Sequence, residues 1–214
     1  MIGPWGYDLI PEEIEKKSFD IIRGLVDLTG LSPAEAAVVQ RVVHATGDPA
    51  FAPILAWSPG AVAAGAEALA AGTPIVTDVE MVRAGVSKVR AGRFGVEVTC
   101  HLSDPTVAEE ARTRGVTRSI VAVERAAAAY PGAVFAFGNA PTALFRLLEL
   151  IDEGVARPAL VVGVVVGFVG AAESKEALMA RGDVPWLSCR GNKGGSNVAA
   201  ASVNALLKAA AGEV

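Results

Sequence analysis

Two histidines, His44 and His101, are the side chains that exchange protons near neutral pH without a perturbed environment. His44 lies in Arg41-Val42-Val43-His44-Ala45-Thr46-Gly47-Asp48. An imidazole has a reference pKa of about 6.5 and suits general acid–base work. A histidine at a helix C-terminus is nevertheless more often a cap or a partner of the helix dipole. Thr46-Gly47-Asp48-Pro49 then reads as a helix stop. Spacing alone does not choose between the two.

A second set of polar residues recurs at the ends of apolar runs. Thr77-Asp78-Val79-Glu80-Met81 follows one run, and Phe137-Gly138-Asn139-Ala140-Pro141-Thr142 follows another. A third carries Gly167-Phe168-Val169-Gly170-Ala171-Ala172-Glu173-Ser174-Lys175, and a fourth Arg190-Gly191-Asn192-Lys193-Gly194-Gly195-Ser196-Asn197. Any one of Asp78, Asn139 and Ser196 reads as an ordinary helix N-cap. Four such segments on one rim place helix N-termini, backbone donors, Lys175 and Lys193 together. That environment suits a ligand bearing several carboxylates.

Familiar catalytic signatures are missing. No Gly-x-Gly-x-x-Gly follows a strand, and the segment around Lys193 lacks P-loop spacing. Cys100 and His101 are neighbours on an expected strand and point to opposite faces, which does not suit metal binding. No serine nucleophile elbow is present. The two cysteines, Cys100 and Cys189, lie in apolar stretches and read as buried thiols.

The elements that must position these residues follow from periodicity. Residues 11–30 read as an amphipathic helix. A second helix starts at Ser32-Pro33 and ends near Gly47. Beyond it, short apolar runs at 54–57, 74–77, 96–100, 134–137, 160–166 and 184–189 alternate with helical stretches at 60–71, 79–84, 105–114, 141–153, 172–181 and 195–211. Such alternation predicts one α/β domain over 1–214, with a mostly parallel sheet in 51–214 and residues 1–50 as a helical appendage. Ligands of such folds sit beyond the carboxyl ends of the strands.

Composition agrees with a packed domain. The 214 residues are 52% hydrophobic and 20% charged, enough for a large core. A net charge of −4 argues against a nucleic-acid partner. The most apolar stretch, 158–172, is about 15 residues long and interrupted by glycines, shorter than a spanning helix needs. With no basic-then-apolar start, a cytoplasmic protein without a membrane partner is expected.

Five ordered strings resemble the precorrin-8X methylmutase family: His-Ala-Thr-Gly-Asp at 44–48, Thr-Asp-Val-Glu-Met-Val at 77–82, Phe-Gly-Asn-Ala-Pro-Thr-Ala-Leu at 137–144, Gly-Phe-Val-Gly-Ala-Ala-Glu-Ser-Lys-Glu at 167–176 and Lys-Gly-Gly-Ser-Asn-Val-Ala-Ala-Ala at 193–201. The likeness runs from about Tyr7 to Leu207. It implies a flavodoxin-like three-layer fold, a homodimer, and a cofactor-free isomerase of cobalamin biosynthesis acting on a corrinoid tetrapyrrole. The implied reaction is a 1,5-sigmatropic methyl shift from carbon 11 to carbon 12, with His44 as acid. The resemblance assigns substrate contact to Ser18 and Arg118. Together with the rim segments this gives Thr77, Asp78, Met81, Asn139, Thr142, Glu173, Ser174, Lys175, Lys193, Gly194, Gly195 and Ser196 as the expected binding set. His101 matches no family string and reads as structural. Members often have Pro at Val165 and Arg at Asn192; these departures bear on substrate affinity more than on reaction type. A tetrapyrrole-binding or trafficking module without turnover is the alternative. An electron carrier is disfavoured, because no aromatic pair is evident to sandwich a flavin.

Overall fold

The computed structural model describes residues 5–6 and 9–214. Tyr7, where the family likeness begins, lies outside the described residues. The first two helices are α1 (Pro11–Leu25) and α2 (Pro33–Thr46). A 3-10 turn over Pro49–Ile54 leads to β1 (Leu55–Trp57), followed by α3 (Ala61–Ala70), β2 (Ile75–Thr77), α4 (Glu80–Gly85) and α5 (Lys88–Arg93). Then come β3 (Val98–Thr99), α6 (Pro105–Arg114), α7 (Arg118–Ala129), β4 (Val134–Phe137) and α8 (Pro141–Asp152). The chain finishes with β5 (Leu160–Gly163), α9 (Ala171–Met179), β6 (Trp186–Cys189) and α10 (Ser196–Ala210).

The six strands form one sheet in the order β1-β6-β5-β4-β2-β3. Strands β2 to β6 run parallel, while β1 pairs antiparallel with the edge of β6. Taken in chain order, the five parallel strands lie 2-1-3-4-5, the flavodoxin-like arrangement. The topological switch point falls between β2 and β4. A ligand crevice is therefore expected where Thr77 and Phe137 end their strands.

Side-chain alternation builds two cores from the one sheet. Val134, Ala136, Leu160, Val162 and Leu187 face α2, α3 and α10. Phe135, Phe137, Val161 and Trp186 face α7, α8 and α9. The result is the three-layer α/β/α order read from the sequence. Helix α2 is part of the first core: Val38, Val39, Val42 and Val43 are buried in it. Among the described residues no helix is long and apolar enough to cross a membrane.

Helix α7, twelve residues capped by Thr117, was not among the expected helical stretches. Three further differences from the periodicity have physical causes. Helix α1 stops at Leu25 because Val26 turns extended and the Asp27 carboxylate then holds the Thr29 N–H. Strand β5 parts from β6 after Gly163, where Val164 O accepts Gly195 N from the next loop, while Val164 N still donates to Phe137 O. Helix α5 was not anticipated. Its six residues, started by Ser87, fall below the length at which a helical period can be read.

Candidate active site

Helix α2 carries His44 in its last turn. The helix is well bounded. Ser32 and Glu35 form a reciprocal capping box, Pro33 takes the first turn, and Gly47 closes the helix in the left-handed region. Valines at 38, 39, 42 and 43 anchor the inner face and leave the His44 ring exposed on the outer one. Ser18, on α1, meets it: Oγ lies 2.8 Å from His44 Nδ1. The Phe19 ring lies 5.2 Å from the imidazole, and the Arg41 guanidinium covers Phe19 at 5.1 Å. Arg41 also bonds Glu15 at 2.6 Å, which holds the Glu15 carboxyl below the usual carboxylate range. Ser18, Ile21, Leu25, His44, Gly47 and Pro49 line a cleft of about 200 Å³. The cleft is mostly apolar, with one imidazole at its wall.

The strand-end loops close on each other beside this helix. At the switch point, buried Asp78 accepts the backbone N–H groups of Gly138 at 3.1 Å, Asn139 at 2.7 Å and Ala140 at 2.8 Å. Burial holds its carboxyl above the usual range, although these three donors pull the other way. Thr77 is also buried and donates from Oγ1 to the Thr99 carbonyl at 3.1 Å. The loop after β6 crosses toward α2. Lys193 Nζ bonds Asp48 Oδ2 at 2.6 Å, and Asn197 Nδ2 donates to the Ala45 carbonyl at 3.4 Å. Gly167 N donates to Asn192 O, joining the β5 and β6 loops. At the far side, the Thr117 and Thr142 hydroxyls lie 3.1 Å apart, joining the starts of α7 and α8.

Helices α2, α5, α6 and α7 each have a side-chain N-cap, from Ser32, Ser87, Asp104 and Thr117. Helices α1, α3 and α4 have none, nor do α8, α9 and α10, which start from the rim loops. At the start of α8 the Asp78 carboxylate already takes the amides of 138–140, whereas the first N–H groups of α9 and α10 remain without side-chain acceptors among the described residues. Phe168 and Val169 stand out of the same rim, 91% and 90% exposed. Met81, in the first turn of α4, is also exposed. The rim thus combines cations, backbone donors and bare apolar surface.

A family model described as precorrin-8X methylmutase matches residues 13–209. The chain is 42% identical over 196 residues to a cobalt-precorrin-8 methylmutase of Priestia megaterium, covering 92% of this chain and 87% of the relative. It is 47% identical to a precorrin-8X methylmutase of Pseudomonas aeruginosa, covering 91% and 94% of the two chains. A solved precorrin-8x methyl mutase from Thermus thermophilus superposes with a TM-score of 0.86 at 42% identity, covering 95% and 98%. The chain belongs to the precorrin-8X methylmutase family. It is accordingly an enzyme and an isomerase.

Within this methylmutase fold the expected site residues divide into two groups. His44, Met81, Arg118, Asn139, Glu173 and Lys193 are exposed, and Ser18 and Ser196 half-buried, all at or beside the rim. Gly194 and Gly195 form the turn that lets the β6 loop pass against Val164 and Val165. Thr142 is exposed, with its hydroxyl shared with Thr117. Thr77, Asp78, Ser174 and Lys175 form the second group. All four side chains are buried and bonded to protein: Ser174 Oγ donates to Ala171 O, and Lys175 Nζ to Lys193 O. They shape the rim from behind.

Sequence reasoning passed over Phe19, Asp48 and Asn197. Asp48 stood in the His-Ala-Thr-Gly-Asp string, but its partner Lys193 is distant in the chain. Cys189 is buried and Cys100 half-buried; burial pushes both thiols up. His101 lies 3.4 Å from Thr99 Oγ1 and packs on Tyr130, away from the His44 cleft.

Proposed function

We propose that this methylmutase converts precorrin-8X, or its cobalt-containing form, into hydrogenobyrinate or cobyrinate, with His44 as the acid. The observation that carries the reading is the 2.8 Å contact between Ser18 Oγ and His44 Nδ1 at the wall of an apolar cleft. In the imidazolium, Nδ1–H donates to Ser18, and Nε2–H is left for the substrate. Among the described residues Nε2 has no protein hydrogen-bond partner. Ring orientation is then held by one contact.

Protonating a ring nitrogen withdraws electron density toward it and makes carbon 12 a better migration terminus. The methyl bond to carbon 11 breaks as the bond to carbon 12 forms, and the proton returns to His44. Atoms and electrons balance within the substrate, so the step calls on neither a methyl donor nor an electron carrier. A positioned acid contributes of order 10²–10⁴ in rate. Orientation of the macrocycle supplies the remainder. Exposed Phe168, Val169 and Met81 suit the faces of a large ring, while Arg118, Lys193 and the uncapped starts of α9 and α10 suit its carboxylates.

Relatives named for both substrate forms are similarly close to this chain. The test therefore supplies purified protein with each form in turn, after dialysis against chelator. Conversion followed by absorbance spectra is expected without added metal, nicotinamide or methyl donor. Tight binding with no spectral conversion of either form would make the chain a binding or trafficking module instead.

A further inference from the structure

Lys175 is the one fully buried cation among the described residues. Its amino group donates to the Lys193 carbonyl at 2.5 Å and lies 3.7 Å from Cys189 Sγ. Cys189 Sγ donates to the same carbonyl at 3.1 Å. No carboxylate faces Lys175 among the described residues. Burying a charge without a counter-charge costs several kcal/mol, and an apolar side chain of equal length would fill the space more cheaply. Stability therefore does not account for a lysine here.

What lysine does, and methionine would not, is hold the Lys193 carbonyl. Lys193 sends its own side chain the other way, to Asp48, with its ammonium 5.4 Å above the Phe51 ring. Asp48 also accepts Ala50 N at 2.9 Å and stands next to Gly47, which ends the helix of His44. A continuous path of contacts thus runs from inside α9, through the β6 loop, to the end of α2.

We propose that Lys175 is a positioning residue, which pins the Lys193 backbone so that the Lys193–Asp48 pair holds the His44 end of α2 against the rim. This rests on His44 being the acid, as proposed above.

The test pairs Lys175→Met with Asp48→Asn, an exposed-site change that keeps the bond to Ala50. Four quantities are measured: melting temperature, kcat and KM with precorrin-8X, and the ¹⁵N shifts of the His44 ring without ligand. Lys175→Met should melt at or above the parent, lose about 10- to 100-fold in kcat, and keep KM within about twofold. Asp48→Asn should lower kcat and move the His44 signals in the same direction. The double variant should be no worse than the more severe single one, because both cut one path. Unchanged His44 signals in both variants, additive losses, or a rise in KM alone in Lys175→Met would each overturn the proposal. If Lys175→Met does not fold, unchanged kcat and ring signals in Asp48→Asn overturn it instead. A parent that fails to convert precorrin-8X would defeat the proposed reaction, whereas the ligand-free ring signals still test the Lys175 path.

Discussion

Ser18 Oγ lies 2.8 Å from His44 Nδ1, although the two residues stand on separate helices. The contact gives α1 a purpose beyond covering the core, since its outer residues Ile14, Ile21 and Leu25 stay exposed. A hydrogen bond of this kind contributes about 0.5–1.5 kcal/mol net, so Ser18→Ala should lose about tenfold in kcat with little change in folding. His44→Ala should lose about 10²–10⁴ while still binding product. His101→Ala, distant from the cleft, should retain nearly full activity. A His101 variant more damaged than the His44 one would reverse the assignment.

The meeting of the β4 and β6 loops depends on Gly138. A methyl group there would stand 2.7 Å from Gly195 O and from the Ser196 Cα, both of them backbone atoms that cannot swing away. Gly138→Ala should therefore destabilise the protein by about 1–3 kcal/mol, as overpacking does. Chemical denaturation would show this as a lower midpoint, with binding of hydrogenobyrinate weakened in the same variant. A midpoint equal to the parent's would mean that the loops separate at no cost.

The layers and most strands were legible because they obey local rules: buried parallel strands are largely continuous apolar runs, and β2, β4, β5 and β6 are such runs. Strand order was legible only through the family strings. What periodicity could not reach was the partnering of distant polar groups. Nothing local in the sequence ties Lys193 to Asp48 or Asp78 to the amides of 138–140. Lys175 is the instructive miss. It lies with Ala171, Ser174 and Leu178 on the buried face of α9, at the spacing of one helical stripe. The stripe was there to read, but a lysine in a loop-to-helix segment beside glycines reads first as a rim cation for a ligand carboxylate.

Acid should weaken the N-terminal half of α2 in a predictable order. Glu35 accepts the Ser32 backbone N–H at 2.8 Å and the Trp57 Nε1–H at 2.7 Å, and the Ser32 contacts chiefly hold its carboxyl below the usual range. A carboxyl lowered in the folded state adds stability above its unfolded value, near 4.5, and loses it as pH falls through the folded one. Glu35→Ala should cost about 1 kcal/mol at neutral pH, as loss of a capping box does. The gap between variant and parent melting temperatures should narrow below about pH 4.5. A gap constant from neutral pH to about pH 3.5 would show that the charge of Glu35 is irrelevant to the cap.

Affinity for product should be governed by charge at the rim. Arg118 is the first residue of α7, exposed, and has no ion pair among the described residues. The Thr117–Thr142 contact sets it beside the start of α8, and Lys193 stands on the β6 loop. Charge-assisted hydrogen bonds contribute roughly 1.5–3 kcal/mol each, so two or three support micromolar binding after ordering costs. Lys193 already serves Asp48 and has donors to spare, whereas Arg118 is uncommitted. Arg118→Ala should therefore raise the dissociation constant of hydrogenobyrinate about tenfold. It should leave kcat within about twofold, because the group holds substrate and product alike. Raising salt from about 50 mM to 500 mM should weaken parent binding more than variant binding, since exposed ion pairs are screened. Converting the ligand's carboxylates to amides should have the same effect. Absorbance titration of free hydrogenobyrinate at both salt levels measures all of this. Affinity that ignores salt, together with an Arg118 variant as tight as the parent, would mean that burial of the ring on Phe168, Val169 and Met81 dominates instead.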